Sequence, residues 1–471
     1  MTKMISMKKA IFSTLLSFLL FTACNSTKES ADILITNATI LDVESGEEIP
    51  GQMIAISGDT IQAVLDMEDS SRFSASKTID AENGFVMPGL WDMHVHFRGG
   101  DTLVAENRNL LPLFLAHGVT TVRDAGGDIS LDVLDWRQKI AAGQLEGPSI
   151  FTSGPKLDGP NPAWPGSIKV DSLGDIPAAL DSLEQLEVDY VKMYDGSLSK
   201  EVFYGIIAAA EDRGLKTTGH MPMSANILTG IDIGLDGSEH LYYVMKACSP
   251  KADSLSIVNP GYGMMDEIIA TYDPELAEEV FKKLKENRVF ITPTLHIGRT
   301  LSEILDVDHS RDSLLPYIGS GIKETYRGRI EGAKRARAAG STMRENMEQK
   351  SMEMIKPMYD TGVPLLAGSD CGPFNSYVYP GGSLHKELER LVAAGLTPVE
   401  AIKTSVINGP AFFGLEESYG SVKAGKVADL IFLKSNPFSD IQNLLSVSSV
   451  LAKGKEYEQE KLGQMMQAVK L

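Results

Sequence analysis

Short runs of apolar and β-branched residues alternate with longer helix-forming segments through most of this chain. This alternation is typical of βα units built around a parallel sheet. Eight candidate strands are found, at residues 90–96, 119–125, 148–154, 190–194, 216–220, 237–241, 289–295 and 364–370. Eight strands with intervening helices predict an α/β fold of the (β/α)8 or TIM barrel type.

Both ends of the chain are predicted to be β-rich. Alternating apolar runs occupy much of residues 33–64, and Gly58-Asp59 between two of them is a hairpin signal. A similar pattern returns after Gly420. We therefore expect the two ends to build one small β-sandwich domain beside the barrel. The predicted boundaries are residues 33–84 and 414–471 for the β-sandwich and residues 85–413 for the barrel.

The first residues carry the features of an export signal. Lys3, Lys8 and Lys9 precede an apolar run over residues 10–23, which is shorter than the roughly 20 residues that cross a bilayer. Residues 1–23 are therefore predicted to be a signal peptide. The run ends at Cys24 in the sequence LFTAC, which resembles a bacterial lipobox, where the cysteine is lipidated and becomes the new N-terminus. A cleaved signal with an accidental cysteine is the alternative.

The predicted signal peptide and lipobox also indicate where the mature protein is located. Residues 24–32 would be a polar tether, and the lipid on Cys24 would be the only membrane contact. We expect a lipoprotein of the bacterial cell envelope that faces the periplasm or lies on the outer membrane. After Cys24, only Cys248 and Cys371 remain, too few for a disulfide scaffold, and burial as small apolar side chains is expected for both.

Composition narrows the class of partner. The 471 residues are 43 % hydrophobic, which is ordinary for a globular protein, and the formal charge of −19 disfavours binding to nucleic acid. Residues 323–350 form a basic island with eight Lys or Arg against four Glu. We interpret the island as a solvated helix face, with attraction of a substrate carboxylate as the alternative. A small-molecule substrate is expected, and a homo-oligomer is compatible with the sequence.

Candidate metal ligands recur where the predicted strands end, which is where barrel enzymes carry their catalytic groups. His94 and His96 are two residues apart on the first strand, so their side chains point the same way. The other candidates are Lys192, His220, His240 and Asp370, on later strands. Imidazole and carboxylate ligands together suit zinc, with manganese or iron as alternatives. His117, His309 and His385 are expected to be ordinary surface or core residues.

The combination of motifs resembles the amidohydrolase superfamily. The motifs are Trp91-Asp92-Met93-His94-Val95-His96, residues 118–124, Tyr190-Val191-Lys192-Met193-Tyr194, Gly219-His220, Glu239-His240 and Gly368-Ser369-Asp370. Within the superfamily the chain resembles the imidazolonepropionase-like branch, which also holds prolidase-like and Xaa-Arg-type dipeptidases. The resemblance covers nearly the whole chain after the tether.

The resemblance implies a binuclear metal site and a mechanism. His94, His96 and Asp370 would bind one metal, His220 and His240 the other, and Lys192 would bridge both after becoming a carbamate. A hydroxide held between the metals would attack a substrate carbonyl, and Asp370 would transfer its proton to the leaving amine. His296, after the seventh strand, is a further candidate for contact with the substrate. Arg123 and Asp124 are expected to form a structural pair.

The sequence therefore predicts a hydrolase that acts on the C–N bond of a dipeptide or N-acyl amino acid. One alternative is a mononuclear deaminase, although Met223 stands where such enzymes place a glutamate. Dipeptidases of the resembled branch often have a tyrosine shortly after the fifth-strand histidine, and its absence after His220 disfavours a dipeptidase. A cyclic-amide hydrolase of the imidazolonepropionase type is a second alternative. A lipid-anchored binding protein without catalysis is a third. Tyr242 and Tyr243 follow His240 and are expected to pack in the interior.

Overall fold

The structure of the chain is a computed structural model that describes residues 28–259 and 261–470. The predicted signal peptide and Cys24 lie outside the described residues. Within the described residues, no helix has both the length and the apolar character needed to span a bilayer.

Strands and helices alternate along most of the described chain. The strands are Glu29–Asp42 (β1), Glu47–Ser57 (β2), Thr60–Asp66 (β3), Phe73–Asp80 (β4), Phe85–Pro88 (β5), Leu90–Val95 (β6), Val119–Asp124 (β7), Ser149–Thr152 (β8), Leu157–Asp158 (β9), Ile168–Lys169 (β10), Val191–Met193 (β11), Thr217–Gly219 (β12), Gly237–Glu239 (β13), Phe290–Thr292 (β14), Leu430–Leu433 (β15), Val447–Ala452 (β16) and Lys455–Glu458 (β17). The helices of the first half are Val104–Arg108 (α1), Leu111–Ala116 (α2), Ser130–Ala141 (α3), Ile176–Gln185 (α4), Lys200–Glu211 (α5), Ile227–Ile233 (α6), Tyr242–Ala247 (α7), Ala252–Val258 (α8) and Met265–Ala270 (α9). Those of the second half are Pro274–Glu286 (α10), Leu295–Ser302 (α11), Ser320–Thr325 (α12), Arg327–Ala338 (α13), Met343–Thr361 (α14), Gly382–Ala393 (α15), Pro398–Val406 (α16), Asn408–Phe412 (α17) and Gln459–Val469 (α18).

Strands from the two ends of the chain form one mixed sheet. Its order is β17-β16-β15-β5-β1-β2-β3, and β4 pairs with β1. The expected hairpin is confirmed, because Ser57 pairs with Thr60 across the Gly58-Asp59 turn. β1 begins at Glu29, inside the predicted tether, since residues 29–36 pair in parallel with β4. The polar residues at the start of β1 give no apolar pattern, because backbone pairing with β4 and polar contacts of Glu29 and Asp32 hold them there.

The predicted parallel strands are present at seven of the eight expected places, as β6, β7, β8 and β11 to β14. They pair in parallel within three smaller sheets, β6-β7-β8, β10-β9-β11-β12 and β13-β14. The eighth segment, 364–370, is not a regular strand, and isolated bridges join Leu365 to Ile291 and, one residue beyond the segment, Cys371 to Val95. The α/β class predicted from the sequence is therefore confirmed.

The eighth segment lies between β14 and β6. Leu366 N donates to the carbonyl of Ile291 at 2.8 Å, and Met93 N donates to the carbonyl of Ala367 at 2.9 Å. Every residue of β6 and β14 is buried, as expected for parallel strands covered on both faces. The carboxyl ends of these strands and of segment 364–370 consequently meet at one edge.

Helices cover the parallel strands, and the main apolar cluster fills the space between the two layers. One helix start is fixed by its sequence. The side chain of Thr397 accepts a hydrogen bond from Glu400 N, and the Glu400 carboxylate accepts one from Thr397 N. This pair of bonds confirms the predicted capping box of α16. α18 was not expected in the C-terminal β-rich part and packs against α2.

Candidate metal centre

His94, His96 and Asp370 meet at the carboxyl ends of β6 and segment 364–370. Asp370 Oδ1 lies 3.5 Å from His94 Nε2 and 3.2 Å from His96 Nε2. A backbone bond of 2.7 Å from Asp370 N to the carbonyl of His94 fixes this register. All three side chains are buried, and one ligand atom from each lies within 4.8 Å of the others. This group could hold one metal ion.

His220 and His240 form a second pair beside the first group. His220 directly follows β12 and His240 directly follows β13. Their ring centroids are 4.9 Å apart, and the centroid of His240 is 5.4 Å from that of His94. The four histidines predicted from strand ends therefore lie in one continuous cluster.

In all four histidines the Nδ1 atom already contacts a polar group of the protein. The partners are Glu239 for His94 at 2.6 Å, the carbonyl of Gly126 for His96 at 3.3 Å, the hydroxyl of Tyr243 for His220 at 3.1 Å and the hydroxyl of Thr294 for His240 at 2.6 Å. Such contacts fix ring orientation and leave Nε2 as the available ligand atom. The Nε2 atom of His94 is buried without a hydrogen-bond partner among the described residues.

Burial keeps these imidazoles neutral. It lowers the pKa of His94, and it lowers the pKa of His96 and His220 well below the ordinary value of 6.5. For His240, burial is again the main cause and the pKa falls to about 4. A neutral imidazole with a free nitrogen lone pair is the form that binds metal ions.

Lys192 lies at the centre of β11 and is fully buried beside the histidine cluster. Its Nζ is 3.4 Å from Glu239 Oε1, but the geometry is not that of a hydrogen bond, and Nζ has no such partner among the described residues. Burial, opposed by the charge of Glu239, lowers the pKa of Lys192 to about 8. About one tenth of this amine is therefore uncharged at pH 7, far more than for an ordinary lysine.

Glu239 and Arg123 form a buried ion pair that was not assigned a role from the sequence. Arg123 Nη2 lies 2.8 and 3.0 Å from the two carboxylate oxygens of Glu239. The expected pairing of Arg123 with Asp124 is wrong, because neighbouring residues on a strand point to opposite faces. Asp124 instead accepts from the Thr152 hydroxyl at 2.7 Å. The Glu239-His240 motif could have drawn attention to this carboxylate.

Asp370 is held in a constrained environment. Asn375 Nδ2 donates to its carbonyl at 2.6 Å and to its Oδ1 at 2.7 Å. Burial would raise the pKa of Asp370, but its contacts with His94 and His96 lower it well below the ordinary value. The φ angles of Asp370, His240 and Thr294 are 57°, 60° and 50°, a left-handed region that is costly for such residues and concentrates at functional sites.

A cavity of about 330 Å³ opens over the cluster. Three arginines, Arg98, Arg329 and Arg344, are among the lining residues. The Arg98 guanidinium stacks 4.1 Å above the ring of Trp164. Asp195, Glu348 and Asp370 are the acidic lining residues, and Tyr242 also lines the cavity. A cavity of this size accommodates a small polar substrate.

The basic island is divided in the structure. Arg329 and Arg344 line the cavity, whereas side chains such as Arg327 and Lys334 are exposed and pair with neighbouring glutamates on the surface. The solvated-face interpretation therefore holds for only part of the island. Arg329 Nη2 also lies 3.3 Å from Asn375 Oδ1, which links it to the surroundings of Asp370.

His296 does not line this cavity, although Leu295 and Ile297 on either side of it do. Burial lowers its pKa to about 4, and the charged groups nearest to it include Lys386 and Arg390. The sequence placed His296 correctly after the seventh strand, but residue 296 lies on the helix α11, where successive side chains are about 100° apart, and its side chain projects away from the cavity.

Cys248 and Cys371 are both buried and free, as expected. Local sequence could not exclude a disulfide between them, but in the described residues both thiols are unpaired. Neither lines the cavity.

One protein-family model matches most of the chain. The family described as "Amidohydrolase family" matches residues 85–457. An adenine deaminase of Ruegeria pomeroyi is 22 % identical over 447 residues, which cover 91 % of this chain and 57 % of that protein. Ochratoxinase of Aspergillus niger is 23 % identical over 495 residues, covering 92 % of this chain and 88 % of that protein. The chain thus spans little more than half the length of the first relative.

Solved structures share the fold. A bottromycin amidohydrolase superposes with a TM-score of 0.71 at 21 % identity, over 93 % of this chain and 90 % of that chain. A Xaa-Pro dipeptidase with bound methionine in the active site superposes with a TM-score of 0.66 at 21 % identity, over 90 % of this chain and 99 % of that chain. At this identity the likeness concerns the fold alone.

Proposed function

This chain belongs to the amidohydrolase family, and we propose that it is a metal-dependent hydrolase of the C–N amide bond in a dipeptide or N-acyl amino acid. The observation that carries this proposal is the convergence of four neutral histidines, each with Nδ1 engaged and Nε2 available, on Asp370 and the buried Lys192. Such a buried donor set has no evident purpose in an apolar core.

The residues fit a pair of divalent ions. His94, His96 and Asp370 would hold one ion, and His220 and His240 the other, with Lys192 between them. The buried and unpartnered atoms His94 Nε2 and Lys192 Nζ support this assignment, because each would otherwise lose hydration without compensation. Zinc suits these ligands best, with manganese or iron as alternatives.

Lys192 would serve as a ligand after reaction with carbon dioxide. An ammonium group has no free lone pair and would repel a metal ion. The lowered pKa, about 8, makes the neutral amine available, and its nitrogen can bond to the carbon of CO₂ with loss of one proton. The product is an anionic carbamate with two oxygens, which could reach both ions.

When bound, the ions would supply positive charge that polarises a carbonyl and lowers the pKa of a water molecule. Asp370 would accept the proton of the attacking water and deliver it to the leaving nitrogen. Asn375 and the two histidines use only Oδ1 of Asp370 in the described contacts, so Oδ2 is the candidate proton acceptor. Its lowered pKa keeps Asp370 ionised and ready for this role.

Arg329 and Arg344 would orient the substrate. Both line the cavity, and burial lowers the pKa of Arg344 without removing its charge at neutral pH. A guanidinium matches the planar geometry of a carboxylate. We infer that one or both bind the free carboxylate on the leaving side of the scissile bond.

We also propose that the parallel strands close into a (β/α)8 barrel over residues 85–413. The backbone bonds that join segment 364–370 to Ile291 and to Met93 support closure between β14 and β6. Residues 33–84 and 414–471 would form a separate β-sandwich. Strands β2 to β4 and β15 to β17 of the mixed sheet support this division, whereas β1 begins earlier, at Glu29, and β5 extends the same sheet to Pro88.

The proposed location is the bacterial cell envelope, with a lipid on Cys24 as anchor. The lysines and the apolar run before Cys24 support this proposal. An enzyme outside the cytoplasm would meet peptide fragments and acylated amino acids.

Deamination of a heterocycle is the alternative favoured by the names of several relatives, which are adenine deaminases. A single experiment separates the two reactions. Purified enzyme would be reconstituted with zinc or manganese and assayed against dipeptides, N-acyl amino acids, esters, lactones and aminated heterocycles, with metal content measured on the same samples. We expect two ions per chain and cleavage of amides. Ammonia release from a heterocycle without cleavage of any amide would contradict the proposal.

A further inference from the structure

Asp195 is a carboxylate on the wall of the cavity that the proposed mechanism does not use. It follows β11 three residues after Lys192. The hydroxyl of Tyr262 donates to its Oδ2 at 2.6 Å, and the hydroxyl of Tyr243 lies 3.2 Å from the same oxygen. These contacts fix the carboxylate and leave Oδ1 without a hydrogen bond from another residue of the described chain.

No Lys or Arg of the described residues forms an ion pair with Asp195. His220 Nδ1 is 3.5 Å from Oδ1 and has the hydroxyl of Tyr243 as its closer partner, at 3.1 Å. Another acidic lining residue, Glu348, is paired with Arg390. A largely buried carboxylate without a cation is costly, and binding of a cationic group would offset that cost.

The position of Asp195 suits the amino end of a short peptide. His220 uses Nδ1 toward Asp195 and Tyr243, which leaves Nε2 on the metal side of the ring. The imidazole of His220 therefore contacts Asp195 on one side and faces the proposed reaction centre on the other. The α-amine of a dipeptide is two bonds from the scissile carbonyl carbon, so its binding group must lie this close.

We propose that Asp195 binds the protonated α-amine of the substrate and thereby selects dipeptides with a free amino terminus over N-acyl amino acids. This inference rests on the proposed amide hydrolysis. Asp195 and the arginines Arg329 and Arg344 all line the cavity, so it offers both an anionic and a cationic group to a zwitterionic dipeptide. Tyr262 would hold the Asp195 carboxylate in position.

Asp195 could instead act only on His220, by fixing its ring as carboxylates near metal-bound histidines do. Loss of that function would slow every substrate equally. Recognition of an amine, in contrast, predicts an effect that depends on whether the substrate carries the amine. The test must therefore compare two substrates that differ only in that group.

The test uses alanyl-X and propionyl-X, where X is the leaving amino acid cleaved best in the substrate assay. The two acyl groups differ only in the α-amine. For the wild-type enzyme, we expect kcat/KM for alanyl-X to exceed that for propionyl-X by about 30-fold or more, the factor that corresponds to the loss of one partner of a buried charge pair. Asp195→Asn should lower kcat/KM for alanyl-X by a similar factor and change that for propionyl-X little.

Glu348→Gln is the matched control, because Glu348 lines the same cavity but already has Arg390 as partner. It should leave the ratio of the two substrates unchanged. Equal cleavage of both substrates by the wild-type enzyme would overturn the inference even if Asp195→Asn failed to fold. Equal losses for both substrates in Asp195→Asn would also overturn it and assign Asp195 to positioning His220. If the wild-type enzyme cleaved no amide at all, the proposed function would fail as well.

Discussion

Oε2 of Glu239 lies 2.6 Å from Nδ1 of His94, and the two side chains are completely buried. The same carboxylate is held by Arg123 and by the hydroxyl of Thr218. Arg123 and Thr218 therefore hold Glu239 in place, and Glu239 in turn orients the ring of His94. Because Nδ1 is engaged, the Nε2 atom of His94 is directed toward Asp370.

Glu239→Gln should weaken metal binding by about 10–100-fold, the usual cost of removing a partner of a metal-binding histidine. The amide cannot provide two anionic oxygens to His94 and Arg123. Titration of metal-free protein with zinc would measure the affinity. Thr218→Val, which removes only the neutral donor to Glu239, should have a smaller effect. Unchanged zinc affinity in Glu239→Gln would contradict the orienting role.

Lys192→Ala should lower both metal content and turnover, because the proposed carbamate contacts both ions. Small carboxylic acids such as acetate should partly restore activity by entering the vacated space. Lys246→Ala is the matched control, since Lys246 is also buried but donates to the carbonyls of Met223 and Ala225 outside the cluster. Metal analysis and initial rates check both variants. Wild-type stoichiometry and rate in Lys192→Ala would remove Lys192 from the mechanism.

Asp370→Asn should reduce kcat by about 10²–10⁴-fold, the usual contribution of a positioned acid or base, with a smaller change in KM. The amide retains an oxygen near the metal but cannot accept a proton. Steady-state kinetics on metal-saturated enzyme would measure the split between kcat and KM. An unchanged kcat would limit Asp370 to metal binding.

The raised pKa of the buried Glu387 carboxyl group predicts that the free energy of unfolding depends on pH. It accepts hydrogen bonds from the backbone nitrogens of Leu295 and His296, but burial dominates and raises its pKa to about 8. Below the ordinary pKa of 4.5, Glu387 is protonated in both the folded and the unfolded state. Between 4.5 and about 8 the unfolded chain loses the proton first, so the free energy of unfolding falls as the pH rises.

Glu387→Gln removes this titration. Relative to the variant, the wild-type protein should lose up to about 1.4 kcal/mol of stability per pH unit between roughly pH 5 and pH 8. Urea unfolding of both proteins at several pH values measures the difference. Parallel pH profiles for the two proteins would show that Glu387 is ionised in the folded state.

Cys24→Ser should move the protein from the membrane fraction to the soluble fraction, because serine cannot carry the thioether-linked lipid. Cys248→Ser is the matched control, since Cys248 is buried in the folded protein and should not affect location. Fractionation of cells followed by immunoblotting checks both. Complete retention of Cys24→Ser in membranes would reject the lipobox interpretation.

Local sequence predicted most of the strands and the positions of the candidate ligands along them. The alternation of side chains along a strand placed His94 and His96 on one face, and Thr397 with Glu400 marked the start of α16. Position after a strand identified His220 and His240. The same rule selected His296 after the seventh strand. There the chain continues directly into α11, and the side chain of His296 does not line the cavity.

The sequence by itself determined which residues could bind a metal, because strand period and strand ends depend on neighbours a few positions away. Only the tertiary structure decided what surrounds them. Glu239 and Arg123, or Asp195 and Tyr262, are separated by 116 and 67 positions and meet through the packing of different strands and helices. Burial, which lowers the pKa of Lys192 to about 8, is likewise a property of the whole fold, since it depends on what excludes water from each group.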